Sequence, residues 1–122
     1  MALTPMQQAE ETNNASLLLN SSIAQYPTIT NATNYSTNST FYYKVGTRVY
    51  VNISVKDLTA NTEKNIFTLP TGYRPLKAVN YRAKGSGAST PTDVEIATNG
   101  AVSVRTGTSS ICFASVTFDA FS

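Results

Sequence analysis

The chain has 122 residues and a formal net charge of +2, with 41% apolar and 13% charged residues. This length suits one compact domain, and the low charge means that neutral polar side chains must cover much of its surface. The sequence contains no histidine and a single cysteine, which excludes an intrachain disulfide and the usual structural zinc sites. The Lys and Arg residues are scattered rather than clustered, so we expect no nucleic-acid partner, and no apolar run is long enough for membrane insertion.

The first forty residues predict an association segment followed by a connector. Apolar and small residues recur at three-four spacing between Ala9 and Tyr26, which fits either a short helix with a coiled-coil seam or an extended arm. Both interpretations stay open. Residues 26–40 are rich in Asn, Ser and Thr, which favours a connector with a short strand at Thr28–Thr30. An apolar run is expected to be covered by a partner chain, and its residues are Leu17, Leu18, Leu19 and Ile23.

Residues 41–122 carry the pattern of a β domain. Between Val45 and Val55 every second residue from Val49 onward is apolar, and Val45 shares their parity, so we predict one half-buried strand there. Strands are also predicted at 66–69, at 76–83 and at 111–121, and the stretch 93–105 predicts a hairpin turning at Asn99-Gly100. Short strands at this spacing indicate an all-β fold, a small antiparallel jelly roll, β-sandwich or barrel.

The stretch "LPTGYRP" lies between two predicted strands and has the composition of a rigid corner. Pro70 fits the second position of a type I turn, and Gly72 fits the fourth. Tyr73 can bury its ring, Arg74 can reach carbonyl groups, and Pro75 fits the start of a strand. We therefore expect the corner to serve as scaffold rather than as a ligand site.

The order of these parts resembles the C-terminal head domains of phage fibres and receptor-binding proteins. The similarity covers 45–122 and consists of the "VGTRVYV" strand, the "LPTGYRP" corner, the "VEIATNGAVSVR" hairpin and a final aromatic strand. It implies a small β head, a homotrimer and attachment of the virion to saccharides of the bacterial surface. Residues 1–40 would then be the segment that trimerises and docks on other virion proteins. The absence of a recognisable signal peptide agrees with release of phage particles by lysis.

The sequence lacks the residues of a catalytic centre, so we expect no enzyme, no metal site and no cofactor. Cys112 lies on an alternating apolar strand, where a thiol is usually a small buried hydrophobe. Asp93 and Glu95 point to the same side of their strand, and two solvated carboxylates are a simpler interpretation than a glycosidase pair.

Two functions fit this sequence. The first is a phage virion fibre whose trimeric head binds the host surface. Exposed polar and aromatic residues are its candidate contacts, namely Tyr81, Arg82, Lys84, Asp93 and Arg105. The alternative is a capsid head-fibre, decoration or baseplate protein with an assembly role and no specific receptor.

Overall fold

A computed structural model describes residues 23–85 and 92–120, and within these ranges the chain forms strands and no helix. The strands are β1 (Thr33–Asn34), β2 (Phe41–Val45), β3 (Arg48–Lys56), β4 (Glu63–Thr68), β5 (Val79–Ala83), β6 (Thr92–Ile96), β7 (Ala101–Arg105) and β8 (Cys112–Asp119). Every pairing between them is antiparallel. The prediction of an antiparallel all-β fold is confirmed. No helix of the described part is long and apolar enough to cross a membrane.

The strands form two sheets. In sheet A, β3 pairs with β8 along one edge, and with β2 and then β1 along the other. Sheet B has the order β4-β7-β6-β5. The hairpin of β6 and β7 therefore lies in the middle of sheet B, with β4 and β5 at its edges. This order places side chains from four strands side by side on one face.

The core lies between the two sheets. In sheet A, alternate residues of β3 face alternate residues of β8, so that Val51 lies opposite Val116 and Ile53 lies opposite Ala114. All of these side chains are buried, and they belong to one cluster with the inward residues of sheet B. The sheet B members are Ile66, Phe67, Val94, Ile96, Val102 and Val104. Because alternate residues of each strand point into the core, the residues between them point to the outer face of each sheet, where polar side chains can lie.

The sheets are also tied together at their edges. Lys84 and Phe113 exchange two backbone hydrogen bonds, with N···O distances of 2.9 and 2.8 Å, which joins the end of β5 to β8. On the opposite edge, the Thr30 N–H donates to the Ile66 carbonyl at 2.8 Å. These bonds leave less free backbone on the two edge strands of sheet B.

Three predicted strands differ from the structure. The strand predicted at 66–69 is β4, which runs over Glu63–Thr68 and so begins three residues earlier. Val45 was predicted to continue into β3, but it belongs to β2 and is 45% exposed. Gly46 and Thr47 form a two-residue hairpin loop, and a φ of 62° at Gly46 alone fits a type II′ turn. The strand predicted from Leu76 begins at Val79, because Pro75 first bridges to Ala120.

The described end of the N-terminal segment is extended. Gln25 exchanges two backbone hydrogen bonds with Tyr42, at 2.7 and 3.0 Å. Of the two interpretations of Ala9–Tyr26, a helix or an extended arm, the described end of the segment therefore agrees with the arm. Ile23 is 51% exposed, whereas Leu17, Leu18 and Leu19 lie outside the described residues. The short strand predicted at Thr28–Thr30 is wrong. The chain turns at Asn31, which has a φ of 60°, and pairs with β3 only afterwards, as β1.

Candidate functional site

The corner after β4 is a type II turn. The Tyr73 N–H donates to the Pro70 carbonyl at 3.1 Å, and Gly72 has a φ of 95°. Pro70 is thus the first residue of the turn and Gly72 the third, one position earlier than predicted. The type II geometry explains the glycine, because its third position needs a positive φ.

Side chains fix this corner to the rest of the molecule. Arg74 Nε donates to the Leu69 carbonyl at 2.9 Å, and the Leu69 N–H donates to the Gly100 carbonyl at 2.8 Å. The corner is therefore tied to the turn of the β6–β7 hairpin. Lys44 Nζ donates to the Gly72 carbonyl at 2.7 Å and lies over the Tyr73 ring.

The Tyr73 ring packs on the core through Tyr42. The two rings meet edge to face with their centroids 5.1 Å apart. Burial, and then the neighbouring Tyr73, raise the pKa of the Tyr42 hydroxyl above its ordinary value. Pro75 is buried and bridges to Ala120. The contacts of the corner residues are thus contacts with the fold itself.

The outer face of sheet B carries a groove of about 340 Å³, here called the sheet B groove. Its central feature is a row of four charged residues at paired positions of neighbouring strands. In order across the sheet these are Glu63 on β4, Arg105 on β7, Asp93 on β6 and Arg82 on β5. The charges alternate in sign, and ion pairs join Arg105 to Glu63 at 3.1 Å and Arg82 to Asp93 at 2.9 Å.

A second row beside the first is mostly neutral. It contains Ser103, Glu95 and Asn80, which are paired across β7, β6 and β5. Tyr81 lies at the edge of the groove and is 43% exposed. Hydroxyl, amide, carboxylate and guanidinium groups therefore lie on one surface. Together they can donate hydrogen bonds to a polar ligand and accept hydrogen bonds from it.

The two ion pairs of the groove are exposed. The side chains of Arg82 and Arg105 are 71% and 68% exposed, and surface ion pairs of this kind contribute little to stability. The hydrogen bond that Arg105 donates to Glu63 is the main cause that raises the pKa of Arg105, and the charges of Glu63, Asp93 and Glu95 act in the same direction. Replacing a residue of this row should therefore change the free energy of unfolding only slightly.

A second groove, of about 440 Å³, runs along the junction of β5 and β8. It shares Tyr81 and Arg82 with the sheet B groove and also contains Lys84 and Ser115. The five predicted contact residues therefore lie on β5, β6 and β7 or directly after β5. Four of them line the sheet B groove, and Lys84 lines this β5–β8 groove.

Sequence reasoning missed an aromatic strip on the outer face of sheet A. The strip consists of Tyr26, Phe41, Tyr43 and Tyr50. The rings of Tyr43 and Tyr50 stack with centroids 4.9 Å apart and an interplanar angle of 12°. Phe41 stacks on Tyr43, and Tyr26 meets Phe41 edge to face, both at 6.4 Å. The alternation of "FYYKV" would have indicated this face if the hairpin at Gly46 had been recognised.

The Cys112 thiol and the acidic side chains are the described groups to consider for nucleophilic chemistry or metal binding. Burial raises the pKa of the Cys112 thiol to about 12, so the nucleophilic thiolate is scarce at neutral pH. In the ranges 23–85 and 92–120, no group of three or more Cys, Asp or Glu side chains is placed to hold a metal ion.

Comparison with known proteins identifies a similar fold. No family model matches the chain, and no curated protein matches it. The structure is similar to the crystal structure of the receptor-binding protein of Listeria phage PSA, with a TM-score of 0.51 and 16% sequence identity. The match covers 97% of this chain and 82% of that one. At this identity the similarity shows the fold alone.

Proposed function

We propose that this protein is a bacteriophage virion fibre protein whose β head binds a saccharide of the host cell surface. The proposal depends mainly on one observation. Four residues predicted as contacts from the sequence, Tyr81, Arg82, Asp93 and Arg105, come from three strands and line one polar groove. The fold, which is shared with a phage receptor-binding protein, supports this proposal.

The groove is suited to weak, reversible binding. The charged and amide groups of its two rows can donate and accept hydrogen bonds with sugar hydroxyls. Tyr81, which also lines the groove, is 43% exposed. An open groove of this kind gives modest affinity at one site. Several copies on one particle would raise the total affinity through avidity.

A matched pair of arginine variants tests the site. Arg105→Ala removes an arginine of the groove that is ion-paired to Glu63 at 3.1 Å. Arg48→Ala removes an arginine of sheet A, outside the groove, that is ion-paired to Asp119 at 3.4 Å. Binding of the full chain to an array of bacterial glycans should fall about tenfold or more for Arg105→Ala, equal to about 1.4 kcal/mol. It should stay within about twofold for Arg48→Ala, because exposed ion pairs contribute little to the fold. Equal effects of the two variants would contradict the assignment of the groove.

We also propose that the protein is a homotrimer that joins other virion proteins through residues 1–40. The support is the apolar run at Leu17, Leu18, Leu19 and Ile23, together with the place where this segment enters the fold. Gln25 pairs with Tyr42, so the segment arrives beside the aromatic strip. Light scattering of the full chain should give three times the 13.1 kDa chain mass, and replacing the three leucines by serine should lower it. A monomeric full chain would refute the trimer.

The aromatic strip supports a second candidate, a capsid or baseplate protein with an assembly role. Phe41, Tyr43 and Tyr50 are half-buried and line a small cleft of about 140 Å³, and aromatic side chains are enriched at protein interfaces. If assembly is the main role, Tyr43→Ser should reduce incorporation into particles. Tyr81→Ser, on the opposite sheet, serves as the control and should leave incorporation unchanged.

A further inference from the structure

The sheet B groove has a charge opposite to that of the chain. It contains three carboxylates, on Glu63, Asp93 and Glu95, and two guanidiniums, on Arg82 and Arg105. The groove is therefore negative by one charge, although the whole chain carries a net charge of +2. A ligand entering the groove meets a local field that the overall charge does not reveal.

Both guanidinium groups of the groove are already engaged. Arg82 donates to Asp93 at 2.9 Å and Arg105 donates to Glu63 at 3.1 Å. Arg105 also faces Asp93 directly across the ladder. An anionic group on a ligand would have to displace one of these carboxylates or lie next to it, and like charges at such short range repel.

Glu95 is the carboxylate left for a ligand. It is exposed, and among the described residues it forms no ion pair within 4.0 Å. Its neighbours across the ladder are Asn80 and Ser103, which are both uncharged. A carboxylate beside an amide and a hydroxyl accepts hydrogen bonds from ligand O–H or N–H groups and repels acidic substituents.

We propose that the sheet B groove selects a saccharide without anionic substituents, with Glu95 accepting hydrogen bonds from its hydroxyl or amino groups. This inference rests on the proposed function, because it describes the ligand of the same groove. The charge of the sheet B groove differs from that of the β5–β8 groove, whose charged residues, Arg82 and Lys84, are both cationic. Anionic glycans would therefore bind, if at all, near Lys84.

The test measures full-length wild type and variants on an array containing neutral, amino-bearing and acidic bacterial glycans. Wild type should bind members of the first two classes, and Arg105→Ala should weaken that binding about tenfold. Glu95→Gln should weaken the same binding several-fold and allow acidic glycans to bind more strongly than they bind wild type. Asp119→Asn, which removes a carboxylate on sheet A, is the matched control. It should change neither the binding of neutral and amino-bearing glycans nor the binding of acidic glycans.

The other outcomes separate the two proposals. Acidic glycans that bind wild type and are lost in Arg105→Ala would leave the saccharide function in place and overturn the selectivity. Binding that is lost in Lys84→Gln but unchanged in Arg105→Ala would move the site to the β5–β8 groove and overturn the sheet B groove as the site. No binding to any glycan would overturn the saccharide function itself, and the selectivity with it.

Discussion

Gly100 is the residue whose substitution tests the corner most sharply. It has a φ of 89°, and its carbonyl accepts the hydrogen bond from the Leu69 N–H. A Cβ at this position would press against the Leu69 carbonyl and come within 2.9 Å of Arg74 Nε. Gly100→Ala therefore strains the backbone and presses on the Leu69 carbonyl and the Arg74 guanidinium, which are hydrogen-bonded to each other.

The expected loss has two parts. A left-handed conformation costs a non-glycine residue about 1–2 kcal/mol. Weakening the hydrogen bond from the Arg74 guanidinium to the Leu69 carbonyl costs about 1.5–3 kcal/mol more, because its donor is charged. We expect Gly100→Ala to lower the free energy of unfolding by about 2.5–5 kcal/mol in total.

Gly72 provides the matched control. Its φ is 95°, close to that of Gly100, but a Cβ there would meet nothing within 4 Å. Gly72→Ala should therefore show the backbone cost alone, about 1–2 kcal/mol. The measurement is urea unfolding of the full chain with each variant, supported by thermal melting, where 1 kcal/mol corresponds to roughly 4 °C for a chain of this size. Equal losses for the two variants would refute the argument that close packing fixes the corner.

Two further predictions concern buried groups. The Cys112 thiol, with its pKa raised to about 12, should resist iodoacetamide in the folded chain at about pH 8.5 and react after unfolding; rapid labelling of the folded chain would contradict its burial. Because its ordinary pKa is 9.0, stability from this group is complete below that pH. It should then decline by at most about 1.4 kcal/mol per pH unit as the pH rises toward 12, a slope that Cys112→Ala should remove in urea unfolding. Thr92 is 2% exposed, and its hydroxyl has no hydrogen-bond partner among the described residues. Thr92→Val should therefore keep or raise stability, by up to about 1 kcal/mol, and a clear loss in urea unfolding would indicate a partner for this hydroxyl.

Alternation along single strands made much of the fold predictable. The buried faces of β3 and β8 and the hairpin of β6 and β7 follow from residues that lie next to each other in the sequence. The errors occurred where one residue changes the direction of the chain. Gly46 follows the end of β2, and Asn31 turns the chain before β1. Both have a positive φ that is not evident from the surrounding pattern.

The sequence by itself determined the alternation of β6 and β7, which places Asp93 and Arg105 on the polar side of their strands. Tyr81 and Arg82 could be named as exposed candidates, but as neighbours on β5 they have opposite positions in the alternation. The sequence could not place these residues side by side. Arg105 and its ion-pair partner Glu63 are 42 residues apart, and they meet only because β4 and β7 are neighbours in sheet B. The physical reason is that alternation follows from the backbone of a single strand, whereas the order and register of strands depend on how both sheets bury their apolar faces together.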